Sequence, residues 1–190
     1  MLSQLERALL SYKPKKIWIK CLFKRSAVAI ILRQPANELS ILMIKRAERD
    51  GDPWSGHMAF PGGRMDPGDA NSLAVARRET KEEIGLTLDD TAPCIGRLSE
   101  LRARSQGKRF PLIVSPYVFK INHDPKLTAN YEVAETIWVP LKFMLDTSNR
   151  EEMYFERGNF KANLPFYMYK DNRIWGLSLL MLDELVRLIR

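Results

Sequence analysis

The chain has 190 residues, a formal net charge of +7, two cysteines and two histidines. That length points to one domain whose core needs no covalent staples. Cys21 and Cys94 stand alone, and His57 and His123 are too few and scattered for a transition-metal centre, so a disulfide framework and a zinc site are excluded.

No apolar run approaches membrane-spanning length. The opening MLSQLERALLSYKPKK is broken by Glu6 and Arg7, so it does not read as a secretion signal. A reduced, cytoplasmic setting is expected. Residues 3–11 read as a short amphipathic helix with Leu2, Leu5, Leu9 and Leu10 on its apolar side. With a basic lead-in strand they make up residues 1–25, ahead of a single main domain over 26–190. Residues 26–32 (SAVAIIL) are a buried strand, answered across a turn by 40–45 (SILMIK) as a hairpin. Residues 47–56 are rich in charge and turn formers and read as a loop over the active site. Residues 57–60 form a short strand feeding a glycine loop.

Residues 60–86, FPGGRMDPGDANSLAVARRETKEEIGL, concentrate the chemistry. Ser72 can cap a helix and Gly85 can stop one. On that helix Glu79, Glu82 and Glu83 share one side, while Leu73, Ala76, Thr80 and Ile84 form the neighbouring core-facing stripe. Three carboxylates so close repel one another unless a cation holds them, and oxygen ligands at this density suit Mg²⁺ or Mn²⁺. The glycines of Phe60-Pro61-Gly62-Gly63 let backbone approach a phosphate or turn a carbonyl to a metal.

Beyond the helix, residues 95–98 are a short strand, 101–109 (LRARSQGKR) a basic loop, and 112–121 a strand interrupted or edged at Pro116. Residues 132–139 are a strand, and Pro140 opens a short helix. Residues 153–155, 166–169 and 173–175 are strands, with a turn at Asp171-Asn172. A terminal helix over 176–190 buries Leu177, Leu179, Leu180, Leu182, Leu185 and Leu188. The sum is a mixed α/β domain with helices on both sides of a sheet. Basic clusters at Lys13, Lys15 and Lys16, at Lys20, Lys24 and Arg25, and at Arg102, Arg104, Lys108 and Arg109 suit a polyanionic ligand. No RNP motif, KH loop or zinc knuckle accompanies them, so nucleic acid is not the expected partner.

The segment resembles the Nudix box, G-x5-E-x7-R-E-U-x-E-E-x-G-U, through Gly63, Arg78, Glu79, Glu82, Glu83, Gly85 and Leu86. Asp69 stands at the first acidic position, one extra residue precedes Arg78, and Thr80 occupies the inner apolar position. The resemblance implies an α/β/α sandwich around a mixed sheet. It implies metal ligation by Glu79, Glu82, Glu83 and the Gly63 carbonyl, with Arg78 fixing the carboxylates. Glu79 or Glu132 would be the general base. The implied reaction is hydrolysis of a phosphoanhydride, which divalent ions assist by neutralising phosphate charge and activating water.

Arg46-Ala47, Gly56 and Phe60-Pro61-Gly62-Gly63, with the tail at 174–182, resemble the coenzyme A pyrophosphatase branch. The second arginine is displaced to Arg49. That likeness implies cleavage of coenzyme A or acyl-CoA into 3′,5′-ADP and 4′-phosphopantetheine, with Arg46, Arg49, Phe60, Gly62, Arg102 and Arg104 against the substrate. Another nucleotide (ADP-ribose, NADH, a nucleoside triphosphate) or a non-catalytic nucleotide- or RNA-binding scaffold are the alternatives. A homodimer is compatible with the sequence.

Overall fold

A computed structural model describes residues 1–18, 23–51, 54–103, 111–157 and 160–189. The organising element is β1 (Lys24–Arg33), whose AVAIIL run after Ser26 is apolar throughout because both faces are covered. It pairs in parallel with β7 (Leu112–Ile121), from Lys24↔Leu112 to Arg33↔Ile121. On its other edge it pairs antiparallel with β2 (Ser40–Arg46) at one end, and with β4 (Gly62–Arg64) at the other. Short β3 (Met58–Ala59) and β8 (Val133–Pro140) flank β2, while β5 (Cys94–Arg97) and β6 (Leu101–Ala103) flank β7.

Strand alternation splits the core into two. Ile30, Leu32, Ile41 and Met43 point to one face, where they meet Leu5 and Leu9 of α1 (Leu2–Ser11), Met144 of α3 (Leu141–Leu145), and Leu182 and Leu185 of α4 (Gly176–Arg187). Ala27, Ala29, Ile31, Leu42 and Ile44 point to the other, against Val75, Ala76 and Ile84 of α2 (Ser72–Ile84). This is the expected α/β/α arrangement around a mixed sheet. Among the described residues, no helix is long and apolar enough to cross a membrane.

A second, three-stranded sheet of β9 (Arg150–Arg157), β10 (Phe160–Tyr169) and β11 (Asn172–Trp175) extends the fold. Only fragments of it are legible in the sequence, because Glu151, Glu152, Glu156 and Pro165 dilute the apolar alternation. The closing turn is Lys170-Asp171, with Lys170 at φ +51°, and Asn172 is already in the strand.

Four further expectations are corrected. Residues 101–103 of the supposed basic loop form β6, paired with 112–114, while 104–110 lie outside the described residues. Pro116 neither interrupts nor edges β7. It sits opposite the break between β5 and β6, and its carbonyl accepts from the Leu98 amide at 3.0 Å. Leu10 and Leu180 are 83% and 50% exposed, because each falls on the outer side of its helix. The cap of α2 is Asn71, whose side chain accepts from the Ala74 amide at 3.0 Å; Ser72 is the first helical residue and bonds the Tyr117 hydroxyl instead.

Candidate active site

Two glycines set the floor of the site. The chain passes from β3 through Phe60-Pro61, where the Pro61 carbonyl accepts from Ala29 of β1. Gly62 then lies so close to β1 that a Cβ would stand 2.3 Å from the Ala27 carbonyl oxygen, and its φ is +154°. Only glycine fits both demands. At Gly63 a Cβ would instead meet the Glu79 carboxylate at 2.3 Å, so the second glycine makes room for that side chain.

Helix α2 lies across this floor. Gly85 ends it at φ +71°, and its last carbonyls are held from outside: Glu83 O accepts from Asn130 N at 2.8 Å, and Ile84 O from Thr128 N at 2.9 Å. Asn130 then accepts from the Glu132 amide at 2.8 Å. The same contacts that finish the helix therefore bring Glu132 beside it. Thr80, at the family's apolar position, is fully buried because its hydroxyl bonds back to Ala76 O at 2.7 Å.

The three glutamates occupy different environments. Glu83 is 3% exposed, and the Gly62 amide donates to its Oε2 at 2.8 Å. Burial pushes its carboxyl up to about 7; the Gly62 bond opposes that shift, and the Glu79 charge adds to it. Burial also raises Glu79, against the pull of Arg78. Glu82 is about half exposed and turns to Arg78 instead of the cleft.

Arg78 is the clamp. Its Nε and Nη2 grip both oxygens of Asp69 at 3.0 and 2.9 Å, and its Nη1 reaches Glu79 Oε1 and Glu82 Oε2, each at 3.0 Å. Nη2 also donates to Arg64 O at 3.1 Å. Asp69 is held below the usual carboxylate range by this guanidinium, and its side chain is only 6% exposed. The residue that departs from the family pattern is thus the main anchor of the arginine.

A cleft of about 850 Å³ opens over this floor. Glu79, Glu83, Gly62, Gly63, Phe60, Arg46, Arg49 and Glu132 all line it, so a helix, strands and loops far apart in sequence deliver most of the predicted residues together. Phe60 is 3% exposed and joins the core beneath. Arg46 lies near enough to Glu83 to draw its carboxyl downward. Arg49 pairs with Glu132 at 3.3 Å and lies over the Tyr131 ring at 5.0 Å. Arg102 is not among them: it is exposed on β6, where its neighbour Ala103 takes the inward position. Arg104 lies outside the described residues.

The donor set suits a hard divalent cation, because two desolvated carboxylates facing one another lack the charge that would stabilise them. Among the described residues no three histidine, cysteine or acidic groups converge as a finished cluster. Glu82 is drawn aside by Arg78, and the Gly63 carbonyl accepts from the Ser26 hydroxyl at 2.5 Å.

His57 is not among the residues the sequence singles out for the site. It lies on the cleft wall between Trp54 and Trp175, with ring centroids 5.8 and 5.1 Å away. The signal was present in the strings WSGH and IWG, where aromatics flank glycines in a charged, turn-rich context.

The model of the NUDIX domain matches residues 23–164. A Photorhabdus laumondii protein, the uncharacterised Nudix hydrolase NudL, is 31% identical over 78% of this chain and 77% of its own. The human mitochondrial coenzyme A diphosphatase NUDT8 is 27% identical over 86% of this chain and 69% of its own. An uncharacterised Schizosaccharomyces pombe protein is 40% identical, but over 55% of this chain and a third (33%) of its own length. Among solved structures, a MutT/nudix family protein from Enterococcus faecalis matches with TM-score 0.55 at 16% identity, over all of this chain and 69% of that one. A C. elegans Ap4A hydrolase complex matches with TM-score 0.53 at 24% identity, over 64% of this chain and 83% of that one. With its box helix, glycine floor and sandwich fold, the chain belongs to the Nudix family, as a pyrophosphohydrolase.

Proposed function

We propose that this enzyme hydrolyses the diphosphate of coenzyme A or an acyl-CoA, giving 3′,5′-ADP and a 4′-phosphopantetheine moiety, with Mg²⁺ or Mn²⁺ as cofactor. The observation that carries the reading is the pair of desolvated carboxylates, Glu79 and Glu83, on the Gly62-Gly63 floor of a cleft that also holds Arg46 and Arg49. A bound divalent ion would neutralise diphosphate charge and lower the pKa of an attacking water. Glu79 and Glu83 would hold it, with Glu82 and the Gly63 carbonyl as further oxygen donors.

The chain's own residues supply the rest. Arg78, braced by Asp69, keeps Glu79 in place. Arg46 and Arg49 offer positive charge to substrate phosphates beside the carboxylates. Glu132 competes for Arg49 in the resting site, so substrate phosphate that takes the arginine leaves Glu132 able to accept a proton. Glu79 is the other candidate base. Likeness to a coenzyme A diphosphatase supports the substrate, as do Arg46 and the tail around Trp175 on the cleft, with the Gly56 amide donating to the Arg46 carbonyl. The reduced, cytoplasmic setting remains part of the proposal.

Mass analysis of products from CoA, acyl-CoA, NADH, ADP-ribose and nucleoside triphosphates, side by side with Mg²⁺, is the test. Release of 3′,5′-ADP from CoA, lost in excess chelator and in Glu83→Gln, is expected. Intact CoA beside consumed ADP-ribose or triphosphate would reject the substrate and keep the reaction class.

A further inference from the structure

The cleft over the Gly62-Gly63 floor differs from one side to the other, and strand order explains why. Floor strand β4 pairs with β1, β1 with β7, and β7 with β6. Toward β2 the lining is charged and aromatic. Arg46 ends that strand and donates its amide to His57 O, Ala47 donates to Glu132 O, and Trp54 packs on His57. Toward β6 the lining is aliphatic. Val28 of β1, Leu112 and Val114 of β7 and Ala103 of β6 supply it from the sheet, and Leu177 and Met181, one turn apart on α4, supply it from the helix. Leu112 and Val114 stand two residues apart, so strand alternation turns both to this face.

These residues leave apolar surface uncovered. Val28, Ala103, Leu112 and Leu177 pack against the core yet stay only partly buried, and each lines the cleft. Such surface favours a ligand that removes it from water. Its chemistry narrows the choice. A phosphate calls for cations, and those of the lining stand elsewhere: Arg64 on β4, Arg46 at the end of β2 and Arg49 after it. A nucleobase stacks on aromatic rings, and Trp54 and His57 stand on the β2 side. The hydroxyls of Ser26 and Ser178, which also line the cavity, already donate to Gly63 O at 2.5 Å and Met58 O at 2.9 Å. An aliphatic chain fits what remains.

We propose that this aliphatic arm of the cleft is the pantetheine subsite. With the diphosphate on the Gly62-Gly63 floor, the pantetheine chain runs across β1 and β7 to β6, between the sheet and Leu177 and Met181, and the nucleotide half lies toward β2. The lengths agree. Neighbouring strands about 4.8 Å apart put β6 about 14 Å from β4. The pantetheine chain, about twelve atoms long, spans as much as about four residues of extended backbone, about 14 Å. The proposal rests on the coenzyme A reading and deepens it: the choice of leaving group falls to Val28, Leu112, Val114 and Leu177, outside the Nudix box.

The test is calorimetric binding, with Mg²⁺ present, of 4′-phosphopantetheine, ribose 5-phosphate and inorganic phosphate, so that no turnover is involved. Each methylene withdrawn from water is worth about fourfold in affinity. Wild-type protein should therefore bind 4′-phosphopantetheine at least about tenfold more tightly than ribose 5-phosphate, the polar counterpart. Leu112→Gln and Leu177→Gln should each cut that preference to about threefold or less. Leu180→Gln, on the outer side of the same helix, should keep it. The two cleft variants sit on different elements, so either decides if the other does not fold. Equal affinity of wild type for 4′-phosphopantetheine and ribose 5-phosphate would overturn the subsite. So would inorganic phosphate binding as tightly as 4′-phosphopantetheine, a preference retained in the cleft variants, or one lost in Leu180→Gln. The substrate reading fails separately: CoA left intact in the turnover assay sinks it, whereas CoA cleaved without this binding preference sinks only the subsite.

Discussion

Gly62→Ala and Gly63→Ala, adjacent and chemically identical changes, should have opposite consequences. At Gly62 the added methyl would stand 2.3 Å from the Ala27 carbonyl oxygen and 2.6 Å from Val28 Cα, at a backbone φ of +154°. Both obstacles are backbone of the central strand β1 and cannot move alone. Strain of this kind costs about 1–3 kcal/mol, and overpacking a similar amount, so a loss of about 2–6 kcal/mol is expected. At Gly63 the obstacle is the Glu79 carboxyl group, at 2.3–2.6 Å, the far end of a flexible side chain. It can swing away, so stability should change by less than about 1 kcal/mol. The displaced carboxylate, however, has left the floor. A misplacement of about 1 Å near reacting groups can cost about 100-fold in rate.

Urea unfolding and metal-dependent turnover of the same two proteins decide the matter. Gly63→Ala should melt near wild type while losing about two orders of magnitude in kcat. Gly62→Ala should unfold at clearly lower urea. A Gly63→Ala enzyme with wild-type kcat would refute the idea that Glu79 must occupy that space. A Gly62→Ala protein of wild-type stability would refute the packing argument.

Other predictions follow from the clamp and the cap. Arg78→Lys should shift the dependence of rate on Mg²⁺ concentration to higher metal, because lysine cannot grip Asp69 with two prongs; an unchanged metal curve with raised KM would point to substrate contact instead. Asp69→Asn should cost about 1–3 kcal/mol at neutral pH. The folded-state pKa of Asp69 is depressed, so its contribution is present above the ordinary value of 3.8 and lost as pH falls through the folded value. Stability measured from pH 7 to 2 should therefore fall less steeply in Asp69→Asn, and parallel curves would refute the pairing. Asn71→Ala should destabilise the protein by about 1 kcal/mol through the lost cap, whereas the same measurement on Ser72→Ala should report only the Tyr117 hydroxyl bond.

What the sequence by itself determined is what repeats locally. The spacing of Glu79, Glu82 and Glu83, the left-handed stop at Gly85 and the unbroken apolar run of β1 each depend on near neighbours in the chain, so helix, floor and central strand were legible. The α/β/α layering followed, because strands apolar on both faces need cover on both. Cap identity was not legible: Asn71 and Ser72 are both good caps, and only the reach of Ser72 to Tyr117, 45 residues away, separates them. Nor was the acidic, proline-containing β9–β10 ribbon, whose pairing is set by register with a partner strand and not by its own pattern. The site divided along the same line. Three glutamates on one helix turn read as equals, yet tertiary packing buried Glu83, set Glu79 against Gly63 and left Glu82 in solvent with Arg78. It also brought Glu132 to Arg49 and put His57 between two tryptophans. Those outcomes rest on distances between residues far apart in the chain, and burial, which shifts a carboxylate's charge, is a property of everything that surrounds it.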